Sequence, residues 1–456
     1  MPSAEQRHVA KGLLDLLERD LQVPTLGEKR REEILTQLKV LGREASNVAS
    51  LYQGSGIQIL GLYGFGDQPS SVSREALRCL ANALLLLPMT RQSFIKEGLD
   101  RKAADALREA EDDDEFLLSR ILFLLTYEPS IDLGALILEH GLAENVVAHI
   151  SRHAWSHAKG TATPASRPSS AAALSETLKL LFNITSVKPD QISRFTPAVH
   201  HLLSILSQSD ISTPPLQPPI SLVMNALANL DLTSDVVRTE DLGRSEVDQM
   251  IKILELSLLA YKPAELDTLA IPLLTVLRKV NDVAGDEVKA EMKERLLPKD
   301  SERDLPLGQS SSLASQLLRL TTGAGLTNLP EAISSLLFEI SDKDANEFVK
   351  NVGYGYAAGY LMSHKIPVPE SAQQSQTAGD VRDPFAVNPV TGQRLDKEPE
   401  DPLPQMTKEE KEREAERLFV LFERLKATGV VDAKNPVQLA MEEGRFEEVS
   451  DSESSD

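Results

Sequence analysis

The sequence predicts an all-helical protein built as an armadillo/HEAT-type α-solenoid, and three observations carry that expectation. Its apolar residues are dominated by Leu and Ala, while aromatics make up only 4% of 456 residues and Trp155 is the single tryptophan. Leu and Ala are strong helix formers, whereas a sheet protein of this size would carry more Val, Ile, Tyr and Phe. An apolar-x-x-Leu-x-Asn pattern also recurs along the chain. Finally, the segments that carry it are too apolar to stand alone, so they must stack around one continuous core.

Residues 1–53 read as two or three helices, with Leu at helical spacing in GLLDLLERDL and EEILTQLKVL. A Gly-rich connector is expected next, YQGSGIQILGLYGFGDQPSS, ending before Arg74. The repeat follows in REALRCLANALL (Leu77, Leu80, Asn82), SETLKLLFNITS (Leu178, Leu181, Asn183) and SLVMNALANLDL (Met224, Leu227, Asn229). Copies without the Asn centre on Phe123, Lys279 and Phe338. The anchors 82, 123, 183, 229, 279 and 338 are spaced by 41, 60, 46, 50 and 59 residues. Armadillo and HEAT units run to roughly 40–47 residues, and the long intervals hold insertions at 156–173 and 296–312. A Pro-rich loop, 209–219, separates two units.

The solenoid is expected over residues 1–366. Beyond it, 367–406 is polar, with frequent Pro and no hydrophobic period, and reads as an extended or disordered linker. An amphipathic helix is expected at 407–429, opened by a Thr407/Glu410 capping box and stopped by Gly429. Leu418, Phe422 and Leu425 line one face of it, with Phe419 beside them. Residues 430–456 form an acidic, Ser-rich tail in which Ser450, with Asp451 and Glu453 after it, suits an acid-directed kinase or is simply solvated.

The charge balance excludes several function classes. Forty-eight basic against 69 acidic residues give a net charge of -21, so nucleic acid is a poor partner, although a local basic groove is compatible with an acidic shell. Cys79 is the single cysteine, which excludes an intrachain disulfide and a Cys-based zinc site, and its Leu-rich helix marks it as a small core residue. The N-terminal stretch lacks the apolar core of a signal peptide, and the longest apolar run, 84–89, is far below a membrane span. A cytosolic monomer is expected.

No constellation for covalent chemistry stands out. His149, His153 and His157 fall at i, i+4 and i+8 and on a helix would share a face that could suit zinc, yet no carboxylate or thiol completes an obvious set, and an exposed polar face is expected. GSGIQILGLYGFG lacks the Lys-Ser or Lys-Thr of a phosphate loop. Gly355 and Gly359 in YGYAAGYLM are expected to let two helices approach closely. There is no recognisable Ser-His-Asp or Cys-His set, so no catalytic residue, cofactor or metal is assigned. The repeated asparagines have two readings: bonding a ligand's backbone along a groove, or bonding the neighbouring repeat. Arg74, Arg78 and Lys179 either present positive charge to a carboxylate-bearing ligand or are solvated.

These segments together resemble the synembryn family, exchange factors and chaperones of heterotrimeric G-protein alpha subunits. The resemblance is strongest in NPVTGQRLDKEPEDPLPQMTKEEKEREAERLFVLFERLKATGVV (388–431), with further matches in GYGYAAGYLMSHKI, ALRCLANALL, ETLKLLFNIT, NALANLDL and the acidic end VSDSESSD. It implies that the C-terminal helix of the alpha subunit lies on the solenoid's concave face, and that the helix at 407–427 reaches the nucleotide-binding part of the same partner. Arg74, Arg78, Asn82, Lys179, Asn183 and Asn229 are the groove residues it implies, with Leu418, Phe419, Phe422 and Leu425 on the tethered helix. Membrane association would come only through the lipidated partner, at the cell cortex or plasma membrane. One departure is that animal members carry an acidic, phosphorylatable stretch before the Asn-Pro-x-Thr-Gly segment, where this chain has SAQQSQTAGDVRDPFAV. The competing expectation is an armadillo scaffold or adaptor without exchange activity. An import adaptor's regular Trp and Asn ladders do not fit a chain with one Trp.

Overall fold

The computed structural model describes residues 4–158, 168–234, 243–368, 387, 388 and 390–398, with Arg413 and Arg417; the side chains of 50, 157, 158, 168 and 169 are outside the description. The Leu/Ala bias yields helix throughout, and the described residues contain no strand beyond one bridge, Val387 to Arg394. The chain divides into two compact units at Asp396/Lys397. Of the second, only Lys397, Glu398, Arg413 and Arg417 are described, so the expected helix face Leu418, Phe419, Phe422, Leu425 and the modification candidate Ser450 lie outside the described residues.

The first unit opens with α1 (Ala4–Gln22), α2 (Glu28–Leu41) and α3 (Ala45–Leu51), then a π-helical turn, Tyr52–Gly56, leading into α4 (Ile57–Gly64). There follow α5 (Ser70–Leu86), α6 (Thr90–Lys96), α7 (Leu99–Leu107), α8 (Asp112–Leu125), α9 (Leu133–Leu138) and α10 (Leu142–Ala158). Next come α11 (Pro168–Val187), α12 (Ala198–Gln208), α13 (Ile220–Asn229), α14 (Arg244–Ala260), α15 (Pro263–Leu269) and α16 (Ile271–Val283). The unit closes with α17 (Asp286–Leu296), α18 (Leu313–Thr321), α19 (Leu329–Ile340), α20 (Ala345–Val352) and α21 (Tyr354–Ser363).

Packing sorts these helices into rows. α2, α5, α8, α11, α13, α16 and α19 each pack on the next, forming one ladder, while α10, α12, α14, α17 and α18 follow one another in a second row. The six sequence anchors fall one to a helix on α5, α8, α11, α13, α16 and α19, so the irregular period marks successive rungs of an α-solenoid. One buried apolar cluster runs from Ala10 to Leu361. Each fully buried Leu in it contributes about 1.5–3 kcal/mol, which is why no rung is stable without its neighbours.

Two expectations need correction. The Gly-rich connector is in part a core helix: Ile57, Ile59, Leu60 and Tyr63 of α4 are buried. Gly61 and Gly64 serve packing, because a Cβ there would lie 2.6 Å from Leu99 Cδ1 and 3.1 Å from Leu77 Cδ2. Gly355 does not bring two helices together either. Its backbone N–H donates to Val390 O at 3.1 Å, and a Cβ there would lie 2.9 Å from that oxygen, whereas a Cβ at Gly359 would meet nothing within 4 Å.

The docked partner of Gly355 is the turn carried by Asn388 and residues 390–392, which lies within the stretch read as linker. Asn388 Oδ1 accepts from the N–H groups of Val390 and Thr391, and Gly392 adopts φ +68. Buried Arg303 reaches the turn and the end of α20 together, donating to Gly392 O (3.0 Å), Lys350 O (2.8 Å) and Asn351 O (3.2 Å). Leu307 N–H donates to Thr391 O and Arg394 N–H to Arg303 O, so the turn clasps the last rungs. A polar segment orders here because its backbone groups find partners in the solenoid.

Candidate functional site: the basic face of the ladder

The rung helices carry basic side chains one turn before their anchors. Arg78 precedes Asn82, Arg120 precedes Phe123 and Lys179 precedes Asn183, and α2 adds Lys39, with Arg43 just beyond its end. Helical spacing therefore puts them on one face of neighbouring rungs. Lys39, Arg43, Arg78 and Arg120 line a cavity of about 320 Å³ with Asn82 and Phe116.

Two nearly buried carboxylates hold this row in place. Glu75 accepts from Arg78 Nη1 at 2.6 Å and from Lys39 Nζ, and Glu176 accepts from Arg120 Nη1 at 3.1 Å and Lys179 Nζ at 2.9 Å. Burial pushes the Glu75 carboxyl up, but the bonds from Lys39 and Arg78 outweigh it and leave Glu75 below the usual range. Arg43 is exposed and makes no carboxylate ion pair among the described residues. Four cations thus share two carboxylates with Arg43 beside them, giving a local positive strip in a chain of net charge -21. A row of partly exposed guanidinium and ammonium groups beside Asn82 and Phe116 suits a carboxylate-bearing peptide with apolar side chains.

The structure distributes the remaining groove residues differently. Arg74 is not free on this face: its Nε and Nη2 grip Asp114 at 2.7 and 2.8 Å, a bidentate pair tying α5 to the start of α8. Asn183 Nδ2 donates to Thr126 Oγ1 at 2.9 Å, at the end of α8. Asn229 Nδ2 donates to Ser186 Oγ at 2.8 Å and Phe182 O at 3.2 Å, at the end of α11. Lys279, the next anchor, donates to Ala228 O at 2.7 Å and Leu230 O at 2.8 Å, at the end of α13. These three anchors thus reach back to the C-terminal turn of the preceding rung, where helix carbonyls lack intrahelical partners. Of the two readings of these asparagines, bonding the neighbouring repeat is the one seen for Asn183 and Asn229, while Asn82 stays in the cavity wall.

Lys39, Arg43 and Arg120 escaped the sequence reading. A signal for Arg120 was available in its place one turn before Phe123, matching Arg78 and Lys179; none marked the residues of α2, which carries no anchor. Cys79 is the buried core residue expected. No helix of the described residues is long and apolar enough to cross a membrane.

Comparison with known proteins finds relatives over most of the chain. The family described as guanine nucleotide exchange factor synembryn matches residues 34–445. The chain belongs to the synembryn family. Its similarity to the chaperone Ric-8A of Bos taurus is 25% identity, over 94% of this chain and 86% of that protein; for Rattus norvegicus Ric-8A it is 26%, over 92% and 84%. A synembryn-like chaperone of Schizosaccharomyces pombe is 29% identical over 38% of this chain and 34% of its own length. An engineered protein of known structure aligns with 82% of the chain at 14% identity and a TM-score of 0.44.

Proposed function

We propose that this synembryn-family chain is a guanine nucleotide exchange factor and folding chaperone for heterotrimeric G-protein alpha subunits, and that it grips the C-terminal helix of its alpha partner on the basic face of the ladder. Family membership and the chaperone names of its relatives support the general role. The observation that carries the contact is the positive strip of Lys39, Arg43, Arg78, Arg120 and Lys179, which offers a helix C-terminus both carboxylate partners and complementarity to its negative dipole.

Exchange then needs no covalent step. A surface that binds the nucleotide-free conformation more tightly than the GDP-bound one weakens GDP retention by the same factor, and GTP, favouring the other conformation, releases the partner. The same hold on an incompletely folded alpha subunit is chaperoning. The tethered segment 407–429, with Leu418, Phe419, Phe422 and Leu425, is proposed as the second grip, and membrane contact as indirect, through the partner. Ser450 is the proposed phosphorylation site.

The test is binding of a peptide with the sequence of the alpha partner's last helix to the full chain and to its Arg78→Ala and Arg120→Ala variants. Loss of a charge-assisted bond of about 1.5–3 kcal/mol weakens binding tenfold or more per site. Unchanged affinity in both variants, with their helix content intact, removes this face as the contact.

A further inference from the structure

Behind the basic face, at the joint of α8, α10 and α11, lies a buried polar cluster that the groove does not use. Glu115 of α8 is fully buried, and His149 and His153 of α10 are 4% and 3% exposed, so the expected exposed histidine face is overturned for these two; the side chain of His157 lies outside the description. The missing carboxylates come from another helix. His153 Nε2 lies 3.0 and 3.1 Å from the two Glu115 oxygens, Thr177 of α11 donates to Glu115 Oε1 at 2.6 Å, and Arg152 pairs with both Glu115 and Asp112. Asp112, Glu115 and His153 converge as a metal set would. The guanidinium of Arg152 bridges both carboxylates, however, and is the resident cation.

The ring of His149 is the informative group. Its Nε2 lies 2.6 Å from Leu107 O, an acceptor only, so Nε2 carries the hydrogen. Its Nδ1 faces Glu115 Oε2 at 3.5 Å, beyond hydrogen-bond reach. Neutral His149 therefore turns a lone pair towards a carboxylate and gains nothing from it. A proton on Nδ1 would compete for an oxygen that Arg152 and His153 already occupy. The surrounding charges are Asp112 and Glu115 from α8 and Arg152 and His153 from α10; α7 presents the Leu107 carbonyl, and α11 presents the Thr177 and Ser170 hydroxyls, the latter 3.3 Å from His153 Nδ1.

We propose that this cluster is a proton-sensitive joint of the ladder: uptake of a proton by His149 on acidification shifts Glu115 between its partners and loosens the packing of α8 against α10 and α11. Burial opposes that proton more than Glu115 favours it, holding the His149 ring below the ordinary imidazole range. The linkage sign follows, since an unfolded chain binds the proton first and stability falls as the pH drops below about 6.5. The same helices carry Asp114 with Arg74 and Arg120 with Glu176, so movement of α8 is felt at the basic face. That last consequence rests on the groove reading, whereas the joint itself is tested on the chain alone.

The experiment follows the unfolding midpoint of the full chain from pH 7.5 to 5.5 beside His149→Gln, whose amide can replace Nε2–H towards Leu107 O. The wild-type midpoint is expected to fall more than that of His149→Gln over this range, by a difference of about 1–2 °C or more. Ring NMR of the wild type is the second measurement, with one buried histidine expected to stay neutral at pH values where free imidazole is already protonated; it holds even if the variant fails to fold. Parallel slopes for the two proteins, a His149 ring titrating as in water, or a zinc-induced rise in midpoint abolished by His153→Gln would each overturn the proposal.

Discussion

Replacing Arg303 by Met should open the clasp that holds the 388–396 turn on the last rungs of the solenoid. The side chain is 10% exposed and sends three hydrogen bonds to backbone oxygens, of Gly392 (3.0 Å), Lys350 (2.8 Å) and Asn351 (3.2 Å). Bonds from a charged donor are worth about 1.5–3 kcal/mol each, but burial already works against this guanidinium, and Met retains much of the packing. A net loss of about 3 kcal/mol follows, roughly 100-fold in the opening equilibrium. Amide hydrogen exchange reads this locally, because Gly355 N–H donates to Val390 O and Leu307 N–H to Thr391 O across the clasp. Both amides should exchange about 100-fold faster in Arg303→Met, while amides of α5 and α8 keep their wild-type protection. Exchange within threefold of wild type at Gly355 and Leu307 would mean that Arg303 does not hold the turn in place.

Other perturbations test separate joints. Asn229→Ala strands Phe182 O and Ser186 at the end of α11 and should cost about 1–2 kcal/mol in denaturant unfolding. Gly392→Ala sets a side chain at φ +68 with its Cβ 2.4 Å from Leu307 Cδ1, and should raise proteolytic cleavage near the turn several-fold. Asp20 accepts from Thr25 N–H, Leu26 N–H, Arg31 and Tyr63; burial pushes its carboxyl up, but these bonds hold it at about 2. Its contribution is therefore complete above the unfolded value near 3.9 and is lost as the pH falls towards 2. Asp20→Asn should accordingly be destabilised at pH 7 and match wild type near pH 2 in urea unfolding.

The fold was legible because one physical demand repeats along the chain. Each rung buries Leu on both neighbours, and residues such as Asn183, Asn229 and Lys279 bond back to the preceding rung, leaving a period that survives loops of unequal length. The helix α4 was not legible, because glycines that admit Leu99 and Leu77 look in sequence like glycines that bend a loop. Nor was the docked turn at 388–396, whose binding rests on backbone hydrogen bonds rather than on hydrophobic period. In the candidate site, Arg78 and Asn82 were legible from the repeat itself. Arg74 and Asp114, 40 residues apart, pair only once α5 and α8 are side by side. The same holds for Glu115 with His149 and His153, since the sequence separates by more than 30 residues what the joint brings into contact.

Under the proposed function, the ladder's basic face lets this chain favour the nucleotide-free state of a G-protein alpha subunit. GDP release from purified alpha subunits, measured with the full chain, with Arg78→Ala/Arg120→Ala and with no addition, tests it most directly. Faster release is expected with the full chain, with a tenfold or greater loss of that acceleration, at subsaturating concentration, in the double variant. Release unchanged by the full chain for every alpha class, with no complex on gel filtration, would contradict it.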